Sequence, residues 1–146
     1  MIRCILGACA LLAVAACAQA TSSNPADTPN AFAVVERGKY LVESIGLCAD
    51  CHTQRLPTGM LDKTRDLHGA TLVFAPMHPQ PWAPTTPALA GLPTGYTEAQ
   101  FVSFLQTGAR PDGSQPLPPM PPNRFNEEDA KAMTAYLKSL PKPPAK

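Results

Sequence analysis

Two cysteines and a histidine in the first half of the chain have a spacing that can hold a metalloporphyrin. Residues 48–52 read CADCH, so Cys48 and Cys51 are three positions apart and His52 follows directly. Two thiols at this spacing can add to the two vinyl groups on one edge of a haem, and the adjacent imidazole can then reach the iron as an axial ligand. The motif predicts one covalently attached haem c per chain.

Spacing alone leaves three other uses of these side chains open. A redox-active dithiol also has two intervening residues, although no alternation of strands and helices surrounds residue 48. A zinc site would combine Cys48 and Cys51 with His68 and His78, but this spacing is irregular and leaves the histidine of the motif unused. A disulfide between the two cysteines would close too small a loop to stabilise the fold much.

A haem iron with one histidine ligand either takes a second protein ligand, for electron transfer, or keeps an open position, for gas binding or peroxide chemistry. The soft or imidazole donors after the motif are Met60, Met77, Met120, Met133, His68 and His78. Met60 follows His52 too closely to reach the opposite face of the ring. Met133 has the helical spacing of a core residue.

The choice of second ligand then narrows to Met120, with Met77 and His78 as alternatives in a proline-broken loop. Met120 lies far enough from the motif for the chain to pass around the ring. It stands between two proline pairs, which we expect to hold the backbone extended and stiff. Such a loop would lose little entropy when the sulfur binds iron, and the thioether is a soft donor that suits this site.

At these residues the chain resembles the cytochrome c family, specifically small monohaem class I cytochromes and the cytochrome subunits of bacterial dehydrogenases. The resemblance covers about residues 34–140. It is carried by RGKYLV before CADCHT, and then in family order by PALAGL, TGARPDG, PPMPP and AYLKSLP. It implies that Met120 is the axial methionine. It also implies an all-α, cytochrome c-like fold, with three main helices and long proline-rich loops wrapped around one covalent haem.

Three stretches have the apolar period of an amphipathic helix: residues 34–47, residues 98–107, and the stretch that begins after Asn126 and stops before a proline at 141. Thr97 and the glutamine three residues later predict a capping box for the second helix. Three acidic residues open the third helix, where the helix dipole favours carboxylates.

Gly38 lies on the apolar face of the first helix, which indicates close approach of another backbone or a bulky ring. In the class I fold the first and last helices cross at a small residue and an aromatic ring, and Gly38 and Tyr136 fit that crossing. Residues 53–96 carry seven prolines and no helix pattern. In that loop only residues 71–74 are β-prone, and Trp82 is either a buried structural residue or a donor to a haem propionate.

Composition limits the alternatives further. The 146 residues suit one small domain, which we place at 32–146, and exclude a large multidomain enzyme. Twelve basic and eleven acidic residues are interspersed, so the chain has no excess of positive charge that would attract nucleic acid. Beyond residue 20 the apolar fraction is about 38%, below the ~45–50% of globular chains. We therefore expect the haem to supply part of the core.

The first 20 residues predict an export signal. A basic start is followed by an apolar run too short to span a bilayer. Two processing sites compete, namely lipobox cleavage before Cys17, which would leave that cysteine acylated, and ordinary cleavage after Ala20. Residues 18–31 would form a disordered tether, because Ala, Ser, Thr, Asn and Pro dominate them. We expect an exported, periplasmic and membrane-anchored lipoprotein.

Taken together, these features predict a non-enzymatic one-electron carrier with His52 and Met120 as axial ligands. Its partners would be redox proteins, namely a dehydrogenase, a bc-type complex or a terminal oxidase, with a membrane surface nearby if the lipid anchor is present. One alternative is a cytochrome subunit of a membrane-bound dehydrogenase. Another is a haem peroxidase or gas-binding protein with an open sixth site, for which only His68 and His78 could act as the distal acid or base.

Overall fold

The structure is a computed structural model that describes residues 30–144. Three predictions concern residues outside this range: the signal of residues 1–20, the acylation of Cys17, and nearly all of the 18–31 tether. The first helix, α1, spans Ala31–Tyr40, and the Asn30 side chain accepts a hydrogen bond from the Phe32 N–H at 3.1 Å. Helix α1 therefore starts three residues before the expected position, and its first residue is the last residue of the predicted tether.

The first helix does not continue as a regular α-helix to residue 47. It passes into a π-helical segment, Leu41–Ile45, which Gly46 closes by donating its N–H to the Leu41 carbonyl at 2.7 Å. Leu41 and Val42 within this segment are buried. A short helix α2, Cys48–His52, follows and carries the whole CADCH motif.

The other two predicted helices have their expected bounds. Helix α3 spans Glu98–Thr107, with the capping box between Thr97 and Gln100 formed in both directions, and Gly108 ends it with a φ of 74°. Helix α4 spans Glu127–Ser139, and its Asn126 cap accepts from the Asp129 N–H at 2.8 Å. Local capping chemistry fixes both starts, which is why the sequence locates them well.

Helices α1 and α4 cross at Gly38 and Tyr136, as expected. Gly38 is buried, and a Cβ placed on it would overlap the Ala132 carbonyl and lie 2.8 Å from the Tyr136 Cβ. The Tyr136 hydroxyl donates to Glu43 of the π-helical segment. Burial, together with the Glu43 carboxylate, raises the pKa of Tyr136 well above its usual range, so the phenol stays a hydrogen-bond donor.

The long loop after α2 contains a small sheet that an all-α description omits. Strand β1, Ala70–Thr71, pairs antiparallel with β2, Thr85–Thr86, in the register Ala70 to Thr86. Of the β-prone residues 71–74, only the first is in a strand, and Val73 and Phe74 are exposed. The fold is thus helical in its main elements, with one two-residue strand pair in the loop.

Buried backbone hydrogen bonds also order this proline-rich loop. The Leu67 carbonyl accepts from the N–H groups of Leu89 and Ala90, at 2.8 and 3.2 Å, and Leu67 is 1% exposed. Trp82 packs edge-on against Phe74, with ring centroids 6.1 Å apart. No helix within residues 30–144 is long and apolar enough to cross a bilayer.

Candidate haem site

The CADCH motif enters its helix through a left-handed residue. Leu47 has φ 48° and ψ 38°, which turns the chain sharply between the π-helical segment and Cys48. Among the described residues Cys48 and Cys51 are free, half-buried thiols, and both line one cavity of about 290 Å³. His52 also lines this cavity, so the structure brings the three predicted residues together.

One ring nitrogen of His52 is fixed by a hydrogen bond, and the other makes none with residues 30–144. The imidazole is 5% exposed, and its Nδ1 lies 2.8 Å from the Pro87 carbonyl oxygen. Because a carbonyl can only accept, Nδ1 carries the proton and Nε2 keeps its lone pair for a metal. Burial lowers the pKa of His52 against the opposing effect of this hydrogen bond, so the neutral ring that ligation requires is favoured.

The environment of Cys48 argues against a redox-active dithiol. Burial raises the pKa of the Cys48 thiol to about 11, and the nearby Cys51 adds to the rise while a backbone hydrogen bond opposes it. Reactive dithiols instead have a lowered pKa, because the thiolate is the nucleophile. The motif also follows a π-helical segment rather than a strand.

The zinc alternative fails on geometry. Within the part of the chain that the structure describes, no three His, Cys, Asp or Glu side chains come close enough to hold a metal ion together. His68 and His78 in particular do not line the cavity that contains the two cysteines.

The candidates for a second axial ligand occupy different surroundings. Met120 is half-buried and lines the same cavity as His52. Met133 also lines it, but this residue is 1% exposed within the core of α4. Met60 and Met77 are 71% and 94% exposed and lie outside the lining.

The backbone at Met120 differs from the extended segment that its flanking prolines suggested. The Met120 N–H donates to the Leu117 carbonyl at 3.3 Å, which closes a tight turn, and the Pro118–Pro119 peptide bond is cis. The expectation of an extended backbone between the proline pairs is therefore wrong. Met120 is instead presented by a turn.

Sequence reasoning missed several residues around the cavity. Thr86 and Pro87 contact the motif through hydrogen bonds, and Arg110 is the one charged side chain that the described residues contribute to the lining. Signals existed for two of them, because Arg110 lies within TGARPDG and Pro87 opens PALAGL, two of the segments that carry the family resemblance. The remaining lining is mainly apolar and includes Leu89, Phe101, Phe104, Leu105, Phe125 and Leu137.

These residues fit a haem. An apolar cavity suits the ring, two thiols and an imidazole with a free Nε2 suit its attachment and its iron, and the Arg110 guanidinium suits a propionate. Trp82 Nε1 is a buried donor that makes no hydrogen bond within the described chain, and Trp82 precedes Ala83 of the lining although it does not line the cavity itself. Buried donors in native proteins are almost always paired, so we expect this nitrogen to have a partner outside the described protein atoms.

Comparison with known families agrees with this site. A family model described as Cytochrome c matches residues 35–141, which include the motif, the cavity lining and the crossing residues Gly38 and Tyr136. The chain belongs to the cytochrome c family. Members of this family bind haem c covalently, and the CADCH motif gives this cytochrome one attachment site.

Two relatives share moderate identity with this cytochrome. It is 32% identical over 112 residues to a protein of Cereibacter sphaeroides named diheme cytochrome c-type, a match that covers 73% of the chain. It is 33% identical over 132 residues to the fructose dehydrogenase cytochrome subunit of Gluconobacter japonicus, which covers 86% of the chain. The chain spans only 35% and 25% of the lengths of these two relatives.

Proposed function

We propose that this cytochrome is a one-electron carrier whose haem iron is ligated by His52 and Met120, with Cys48 and Cys51 as the thioether attachments. One observation carries the ligand assignment. Among the candidate sulfur and imidazole donors of the described chain, Met120 alone combines a place in the lining of the His52 cavity with a position outside a helix core. When bound, the haem supplies a couple between ferric and ferrous iron.

Two features of the protein would hold the axial ligands in place. The Pro87 carbonyl holds His52 in the tautomer that leaves Nε2 free, and the turn at residues 117–120 presents the Met120 sulfur. A methionine in the second position favours ferrous iron and closes the site to oxygen. The helices and proline-rich loops would enclose the ring and exclude water from it.

Spectra of the holoprotein test this assignment. We expect wild-type protein to show the sulfur-to-iron charge-transfer band and to bind carbon monoxide poorly at neutral pH. Met120→Ala should abolish the band and allow carbon monoxide to bind. Met77→Ala is the matched control, because that methionine is 94% exposed and lies outside the cavity lining, and it should change neither property.

Two results would overturn the proposal. If wild-type protein binds carbon monoxide freely, the site is open and the electron-carrier assignment fails in favour of a gas-binding protein or peroxidase. If the band disappears in Met77→Ala and survives in Met120→Ala, electron transfer stands but the ligand is wrong. The open-site alternative has little support, because His68 and His78 both lie outside the cavity lining.

A second candidate function is that of a cytochrome subunit within a membrane-bound dehydrogenase complex. The match to the fructose dehydrogenase cytochrome subunit favours it. We propose that the chain is exported to the periplasm and held on the membrane through acylated Cys17, close to a dehydrogenase, a bc-type complex or a terminal oxidase. Purification from native membranes separates the candidates, since a subunit should copurify stoichiometrically with a dehydrogenase, whereas a free carrier should leave it at moderate salt.

A further inference from the structure

Two consecutive residues of the loop hold two consecutive residues of the motif. The Thr86 hydroxyl lies 2.8 Å from the Cys51 carbonyl oxygen, and the Pro87 carbonyl oxygen lies 2.8 Å from His52 Nδ1. Each contact joins positions 35 residues apart in sequence. The loop therefore contacts both the main chain before the histidine and the ring of the histidine itself.

The Thr86 hydroxyl is itself held in one orientation. It accepts a hydrogen bond from the Ala70 N–H at 3.0 Å, and its distance of 3.4 Å to the Ala70 carbonyl is longer than its 2.8 Å to Cys51. Its single proton therefore points to the Cys51 carbonyl. That carbonyl lies at the end of α2, where helix carbonyls have no partner within the helix. The hydroxyl thus joins the strand pair to the end of the motif helix.

The geometry links this bond to the imidazole. The peptide that carries the Cys51 carbonyl is the one that leads into His52, and the His52 carbonyl accepts from the Gly69 N–H at 2.8 Å. Thr86 therefore holds the peptide on the His52 side of this contact, and the next residue, Pro87, supplies the oxygen on the other side. A firm hydrogen bond at Nδ1 makes an imidazole a more basic ligand.

We propose that Thr86 is a positioning residue for the axial histidine: its hydroxyl, acting through the Cys51 carbonyl, keeps the His52 ring on the Pro87 carbonyl and so lowers the reduction potential of the bound haem. A more basic imidazole donates more electron density to iron and stabilises the ferric state. The inference rests on the proposed function only in requiring a haem ligated by His52.

The test is a redox titration of the holoprotein. Thr86→Val keeps the shape of the side chain and removes the hydroxyl, so we expect the midpoint potential to rise. At a fixed ambient potential the ratio of ferrous to ferric protein should increase about threefold, which is about 28 mV at 59 mV per tenfold for one electron. Thr86→Ser retains the hydroxyl and should restore the wild-type potential.

Thr71→Val is the matched control, because Thr71 is an exposed threonine of the same strand pair and lies outside the haem cavity lining. Its potential should equal that of the wild type. The proposal is overturned if Thr86→Val leaves the potential unchanged, or if Thr86→Ser shifts it as far as the valine does. The second result would show that any change of side chain at position 86 shifts the potential, whether or not the hydroxyl is kept.

The wild-type holoprotein gives a second measurement that needs no variant. In proton NMR of the ferrous form, the Thr86 hydroxyl and the His52 Nδ1 proton should both exchange slowly with solvent. Hydroxyl exchange as fast as that of a surface threonine would overturn the proposal even if Thr86→Val yields no holoprotein. A missing sulfur-to-iron band would instead overturn Met120 ligation alone, since the Thr86 comparison would still be measurable.

Discussion

At the scale of single residues, the direction of the stability change in a Trp82 variant tests whether its indole N–H donates to a haem propionate. Its Nε1 is buried without a hydrogen-bond partner among residues 30–144, and a buried donor in this state costs stability. If this N–H donates to a haem propionate, Trp82→Phe should lower the free energy of unfolding of the holoprotein by about 1.5–3 kcal/mol, as for other hydrogen bonds to charged groups. Denaturant titration of the holoprotein measures this change.

Phe74→Leu is the packing control for this experiment, because Phe74 makes the edge-on contact with Trp82 and has no donor. It should cost less than about 1.5 kcal/mol, as conservative apolar replacements do. If Trp82 Nε1 stays unpaired in the holoprotein, removing it is neutral or favourable. Unchanged or increased stability in Trp82→Phe would therefore contradict the propionate interpretation.

The site was predictable where its residues are adjacent in sequence and not where they are distant. Cys48, Cys51 and His52 are neighbours, so their types and spacing are enough to predict their chemistry. Thr86 and Pro87 contact them across 35 residues, and only folding of the intervening loop creates those contacts. Neither threonine nor proline carries a chemical signature that could have indicated its partner.

At the scale of elements, the crossing of α1 and α4 depends on the missing side chain of Gly38. We expect Gly38→Ala to lower the free energy of unfolding by about 2 kcal/mol, as overpacked cores do, because its Cβ would overlap the Ala132 carbonyl. Helix propensity alone would change stability in the opposite direction by about 1 kcal/mol. Thermal or denaturant unfolding of the holoprotein measures the difference.

Lys39→Ala is the matched control, since Lys39 is the exposed neighbour of Gly38 on α1. Its effect should stay within about 0.5 kcal/mol, as for most surface substitutions. A gain in stability for Gly38→Ala would mean that propensity outweighs the contact, and that the helices can separate at little cost.

Elements were predictable where local capping defines them. The caps at Thr97 and Asn126 gave the starts of α3 and α4, because each cap is a bond between residues three apart. The π-helical segment and the turn at residues 117–120 were not predicted. Both depend on packing around the cavity and against α4, which the local pattern does not contain.

At the scale of the whole molecule, the cavity is large for so small a domain. Its volume is about 290 Å³ and its lining is mainly apolar, so without a bound ring those side chains would face water, which costs about 25 cal/mol per Å² of apolar surface. Natural domains have a total stability of only about 5–15 kcal/mol. The low apolar fraction of the chain beyond residue 20 fits the same interpretation, in which a haem ring would take the place of core side chains.

The chain should therefore fold only as a holoprotein. Cys48→Ala/Cys51→Ala, which cannot form thioethers, should lose most of the helical far-UV circular dichroism signal at 25 °C and unfold without a cooperative transition, because its apolar cavity has no covalently held ring. Wild-type chain produced without haem attachment is the matched control and should behave in the same way, which separates loss of haem from loss of two thiols. A double variant that is as helical and as cooperative as the holoprotein would contradict this prediction. It would show that packing among α1, α3 and α4 is enough to fold the chain, and that the haem enters a core that has already formed.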